Sequence, residues 1–128
     1  VSEKMTKILL VDDEPDIVML CKNMLEKAGY EVVVARNGQE CLERLIEEHF
    51  DLILLDVMMP GDNGWVVCRK IKSNKVTRDI PVVMFTVCSE PWLKEKGKEA
   101  GADAQIDKPF ELEDLLGTIE RVLAEDKD

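Results

Sequence analysis

The chain has 128 residues, 45% of them hydrophobic and 34% charged, which is the size and balance of one globular domain spanning residues 1–128. A net charge of -10 sets its surface against nucleic acid and anionic membrane, so no direct nucleic-acid contact and no membrane association is expected of this segment. Val1–Lys7 is too polar for a secretion signal and no apolar run approaches the length of a membrane span, which points to a cytoplasmic protein.

Five short apolar runs alternate with five helical patterns. The first run, Ile8–Val11, is followed by Ile17, Leu20, Cys21, Met24, Leu25 and Ala28 at helical spacing, and Gly29 stops that helix. Val32–Ala35 precedes a helix over about Gln39–Glu48, with Asn37 as its cap and Leu42, Leu45 and Ile46 facing inward. Leu52–Leu55 leads to a third helix after Gly64 that carries Val67, Cys68 and Ile71. Pro81–Phe85 leads to a weaker helix over about Pro91–Ala100, which offers only Leu93, Gly97 and Ala100 to a core. Gly97 inside it costs about 1 kcal/mol relative to Ala, so this helix should move cheaply. Ala104–Ile106 precedes the last helix, where Leu112, Leu115, Leu116, Ile119, Val122 and Leu123 form one stripe.

The first, third and fourth runs are almost continuously apolar, as strands buried on both faces of a parallel sheet are. Strict alternation of strand and helix predicts an α/β fold, a doubly wound parallel sheet with helices on both faces. The four cysteines, Cys21, Cys41, Cys68 and Cys88, contain no C-x-x-C pair, so they read as small hydrophobes in a reducing compartment rather than as a zinc site.

In an open parallel sheet, ligands bind at the carboxyl ends of the strands. Here those ends read Asp12-Asp13, Asp56, Thr86 and Asp107-Lys108-Pro109. Three gathered carboxylates repel one another unless a cation lies between them, and Mg²⁺ is the hard dication that takes one or two carboxylates while keeping waters for a phosphate to replace. Lys108 adds a positive charge and Thr86 a hydroxyl, so the group suits a phosphoryl transfer to Asp56. Each element has a plainer use: an Asp pair after a strand caps the next helix, and the residues after Asp56 make a turn. Agreement of four strand ends is what favours chemistry.

The segments ILLVDDEP (Ile8–Pro15), DLILLDVMMP (Asp51–Pro60), DIPVVMFT (Asp79–Thr86) and KPF (Lys108–Phe110), with Gly64 eight residues past Asp56, resemble the receiver domains of two-component response regulators. The resemblance covers essentially the whole chain. It implies a flavodoxin-like (βα)5 fold with a five-stranded sheet of order 2-1-3-4-5, as in chemotaxis-type regulators. It also implies that Asp56 is the phosphoacceptor and that Asp13, Asp56 and the backbone carbonyl of Met58 bind Mg²⁺, with Asp12 acting through water. Lys108 would pair with the phosphoryl group and Thr86 would donate to it. The phosphodonor would be a sensor histidine kinase or a phosphotransfer protein. The signal would leave through the fourth helix, fifth strand and fifth helix, toward a downstream protein target or a fused output domain, with a phosphorylation-dependent dimer left open. Such a domain is no turnover enzyme: it catalyses its own phosphorylation and dephosphorylation only.

Four positions depart from the family pattern. Gln105 stands where receivers often carry Tyr or Phe, which directs the signal through the loop after Thr86 and the fourth helix instead. Val87 stands where the family usually has Ala or Gly and is expected to narrow the entrance to Asp56; Met58 and Cys88 are apolar where family members often place polar residues, and are expected to exclude hydrolytic water and prolong the phosphorylated state. The alternative within the family is a degenerate receiver acting only as a binding module. A haloacid dehalogenase phosphatase would need D-x-D-x-T after the first strand, and a flavin binder a loop without Asp12-Asp13-Glu14.

Overall fold

The computed structural model describes residues 5–59, 62–86, 91–107 and 110–126. Five parallel strands form one sheet: β1 (Lys7–Val11), β2 (Glu31–Ala35), β3 (Leu52–Asp56), β4 (Val82–Thr86) and β5 (Ala104–Asp107). Their spatial order is β2-β1-β3-β4-β5, the expected 2-1-3-4-5. Between them run α1 (Pro15–Lys27), α2 (Gly38–Glu47), α3 (Gly64–Ser73) and α4 (Pro91–Glu99), and α5 (Leu112–Asp126) follows β5. No helix among the described residues is long and apolar enough to cross a membrane.

The sheet separates two cores by the alternation of its side chains. Leu9, Val11, Ile53, Leu55, Val82 and Met84 pack with Cys41 and Leu45 of α2, Val67, Cys68 and Ile71 of α3, and Ala100 just past α4. Ile8, Leu10, Leu52, Leu54, Val83 and Phe85 pack with Cys21 and Leu25 of α1 and Leu115, Ile119 and Val122 of α5. Every residue of β3 and β4 is buried, as expected of strands covered on both faces. The three described cysteines are buried. Burial pushes the Cys41 thiol up to about 12 and the Cys68 thiol up to about 11, so both stay protonated at neutral pH and pack as apolar groups.

Four apolar residues expected to face inward do not. Leu20 is 47% exposed, Ile46 86% and Leu112 41%, and Ala28 is exposed as well. A helix on a sheet buries a narrow stripe, and a residue one place beyond that stripe is turned by about 100°. Leu45 fills the inward position and Ile46 is carried past it. In α1 the packing is completed by Val18 instead of Leu20. Leu112 opens α5, ahead of its first buried residue, Leu115.

Two local devices set the ends of the functional edge. Asn37 caps α2 through Oδ1, which accepts from the Glu40 N–H at 2.8 Å, and Asn63 caps α3 the same way on Trp65 at 2.9 Å. Between β3 and α3, Met58–Met59 and Asp62–Asn63 pair as a short antiparallel ribbon. That ribbon folds the chain so tightly that a Cβ on Gly64 would lie 2.6 Å from the Asp56 carbonyl oxygen and 2.7 Å from Val57 Cα. Both neighbours are backbone and cannot swing aside. Gly64→Ala is therefore expected to destabilise the fold by about 1–3 kcal/mol, read as a lower urea midpoint at unchanged slope. A variant as stable as the wild type would contradict this close approach.

Candidate functional site

The polar residues expected just past the strands turn out to be, in three cases, the last strand residues themselves. Asp56 ends β3 with Phe85 as its partner, and Thr86 ends β4 opposite Asp107, the last residue of β5. Parallel pairing thus carries these side chains to the carboxyl edge on rigid backbone. Asp12 follows β1 directly, and its N–H still donates to the Ala35 carbonyl of β2 at 3.1 Å.

The topology places β1 beside β3, and so brings together residues far apart in the chain. One carboxylate oxygen from each of Asp12, Asp13 and Asp56 lies within 4.8 Å of the others. Asp12 is fully buried and Asp56 is 2% exposed, while Asp13 is half-buried at the rim. The Glu14 N–H donates to Asp12 Oδ1 at 3.0 Å, which orients that side chain and supports the first turn of α1. The plainer use of the Asp pair is therefore partly real. The N-cap residue of α1 is Glu14, with no side-chain cap of its own. Asp12 braces the helix entry while also facing the cluster.

Thr86 is fully buried at the neighbouring strand end. Lys108, Pro109, Val87 and Cys88 lie outside the described residues, as do the expectations that rest on them. Met58 belongs to the short ribbon immediately beyond Val57. The donor set of the cluster is all oxygen, with no thiol or imidazole, which fits a hard dication.

A family model described as the response regulator receiver domain matches residues 8–120. The chain belongs to the response regulator receiver domain family. It is the receiver module of two-component signalling. The response regulator ArlR of Staphylococcus saprophyticus is 40% identical over 119 residues, which cover 93% of this chain and 53% of that protein. The transcriptional regulatory protein ResD of Bacillus subtilis is 42% identical over 118 residues, covering 92% and 48%. The receiver chain thus spans about half the length of these curated relatives. Among solved structures, the chemotaxis protein CheY4 of Vibrio cholerae superposes with a TM-score of 0.89 at 36% identity, covering 93% of this chain and 99% of that one. The receiver domain of the sensor histidine kinase PA1611 from Pseudomonas aeruginosa superposes with a TM-score of 0.87 at 26% identity, covering 94% and 99%, and carries a magnesium ion coordinated in its active site cleft.

Two features of this receiver were only half legible in the sequence. Gly97, expected as a weakness in α4, is buried, and a Cβ there would stand 3.0 Å from Gln105 Oε1 and 3.5 Å from Met84 Sδ. Its role is to let α4 lie close on β5. Lys96, one residue before it, sits 5.5 Å from the centre of the Trp65 ring and ties α4 to α3. No periodicity signals that pair.

Gln105, which stands in place of the usual aromatic ring, turns its amide under α4. Both Oε1 and Nε2 are buried with no hydrogen-bond partner among the described residues. They line a cavity of about 170 Å³ with Gly97, Ala102 and Ala104. Burying an amide unsatisfied costs about 1–3 kcal/mol. Gln105→Leu is accordingly expected to raise stability by about 1–2 kcal/mol, measured as an upward shift in the thermal midpoint. A lower midpoint would show that the amide is satisfied in solution.

Proposed function

We propose that this receiver accepts a phosphoryl group on Asp56 from a phosphohistidine of a sensor histidine kinase or phosphotransfer protein, with Mg²⁺ as cofactor. The observation that carries the reading is the convergence of the Asp12, Asp13 and Asp56 carboxylates within 4.8 Å at the carboxyl edge of the sheet. Asp13, Asp56 and the Met58 backbone carbonyl would hold the ion directly, and Asp12 through water. Bound there, the ion supplies neutralisation of the negative charge on the transferring oxygens.

The protein's own residues do the rest. An oxygen of Asp56 forms the new O–P bond as the N–P bond of the donor breaks, and the released imidazole keeps the electron pair and is protonated from solvent. The rigid end of β3 aims the nucleophile, and the buried surroundings of Asp56 limit access of water to the acyl phosphate. The Thr86 hydroxyl donates to a phosphoryl oxygen and Lys108 pairs with another. Hydrolysis by water returns Asp56 to its starting state, so the domain catalyses only its own phosphorylation and dephosphorylation.

In this reading the domain covers residues 1–128 and works in the cytoplasm. The added charge biases the segment after Thr86 and α4, and the signal reaches a downstream protein target or a fused output domain through the α4-β5-α5 face, without direct nucleic-acid contact by this domain. Because Gln105 replaces the aromatic residue, the route runs through backbone and α4 rather than through a ring rotation.

Intact-mass analysis with an acyl phosphate and Mg²⁺ tests the proposal. Wild type should gain one phosphoryl group, Asp56→Ala and chelator-treated protein none, and Lys108→Ala should react about 10²–10³-fold more slowly. Failure of the wild type to gain mass, or equal labelling of Asp56→Ala, would overturn it and leave a binding-only module.

A further inference from the structure

A groove runs along the outer side of α2 and α3, distinct from both the acidic cluster and the α4-β5-α5 face. Two adjoining hollows, of about 560 Å³ and 420 Å³, share Leu42, Ile46 and Lys70. Ile46 is 86% exposed, Val66 43% and, beyond the end of α3, Val76 83%. Large aliphatic side chains gathered in a groove on a heavily charged chain are unusual for a merely solvated surface. The groove walls repeat at helical spacing, through Gln39, Leu42 and Ile46 on α2 and Val66 and Lys70 on α3, continued by Asn74 at its C-cap. That is the row geometry into which a third helix packs.

Charge identifies the occupant. From Gly64 to Arg78 the chain holds Arg69, Lys70, Lys72, Lys75 and Arg78 and no acidic residue, although the net charge is -10. Lys72 is committed to the Asp103 carboxylate at 2.9 Å and the Ile80 carbonyl at 2.8 Å. Arg69, Lys70, Lys75 and Arg78 are exposed and make no salt bridge among the described residues. On the opposite wall Glu43 accepts from Gln39 at 3.3 Å. The groove therefore has an apolar floor, with Lys70 as the cation in its α3 wall, Glu43 in its α2 wall, and further exposed cations on the segment that carries Lys70.

We propose that this groove docks an amphipathic helix of a partner protein, with its apolar stripe on Ile46, Val66 and Val76 and a carboxylate flank against Lys70 and the cationic segment that carries it. Such a partner would meet the module independently of the phosphorylation edge. The cationic side fixes the direction in which the helix lies, because carboxylates turned toward α2 would face Glu43.

The probe is a stapled amphipathic peptide with Leu at helical spacing and Glu along one flank, compared with the same peptide carrying Lys there. Titrated into ¹⁵N-labelled full chain, the Glu peptide should give saturable shifts in α2 and α3. Its affinity should fall about tenfold or more in Ile46→Asp and in Lys70→Glu. Both positions are exposed, and unchanged phosphoryl labelling of Asp56 in each variant checks that the fold is intact. The proposal is overturned by absence of saturation at about millimolar peptide, by shifts elsewhere or by equal binding of the Lys peptide. It is also overturned if Ile46→Asp abolishes self-association of the free chain, or binding to phosphatidylserine vesicles, while the peptide fails to bind.

Discussion

Mutual repulsion of three carboxylates is the constraint around which this molecule is arranged. Ionised side chains whose oxygens lie within 4.8 Å repel by about 3 kcal/mol or more per pair at an effective dielectric of about 20. Two of them, Asp12 and Asp56, are almost wholly removed from bulk water. A fold does not hold such a group for stability alone. The apolar strands beneath, fully buried on both faces, supply the stability that lets the edge be unfavourable.

The scaffold makes the cluster rigid by simple means. Asp56 is held by strand pairing rather than by a loop, Asp12 by a backbone bond to β2 and by the Glu14 amide, and the chain beyond Asp56 turns back through a glycine that has no room for a side chain. An ion entering such a site needs little rearrangement of the protein, which is what preorganisation means energetically. The same economy explains α4. Among the described side chains of α4, Gly97 lies close on Gln105 of β5 and Lys96 sits over the Trp65 ring, and Ala100 is buried just past the helix end.

Much of this was legible in the residues. Continuous apolar runs announced buried parallel strands, and polar residues at their carboxyl ends announced the functional edge, because both follow from the period of a strand and the direction of a parallel sheet. The stripe of each helix was less legible, since apolar residues exceed the positions a sheet can cover; Leu45 is buried and the adjacent Ile46 is not. Contacts set by tertiary approach left no pattern at all. Gly97 against Gln105 and Lys96 over Trp65 depend on where α4 lands, and the Lys72 bridge to Asp103 joins residues 31 apart in the chain. Ile46, misplaced as core, is the residue that now marks the α2–α3 groove.

Calorimetric titration of the whole chain with Mg²⁺ tests the central claim most directly. If the gathered carboxylates form a cation site, wild type should bind one ion with measurable heat, gain thermal stability in its presence, and lose at least about tenfold in affinity in Asp13→Asn. A wild type without saturable binding, or an Asp13→Asn variant that binds as tightly, would contradict it.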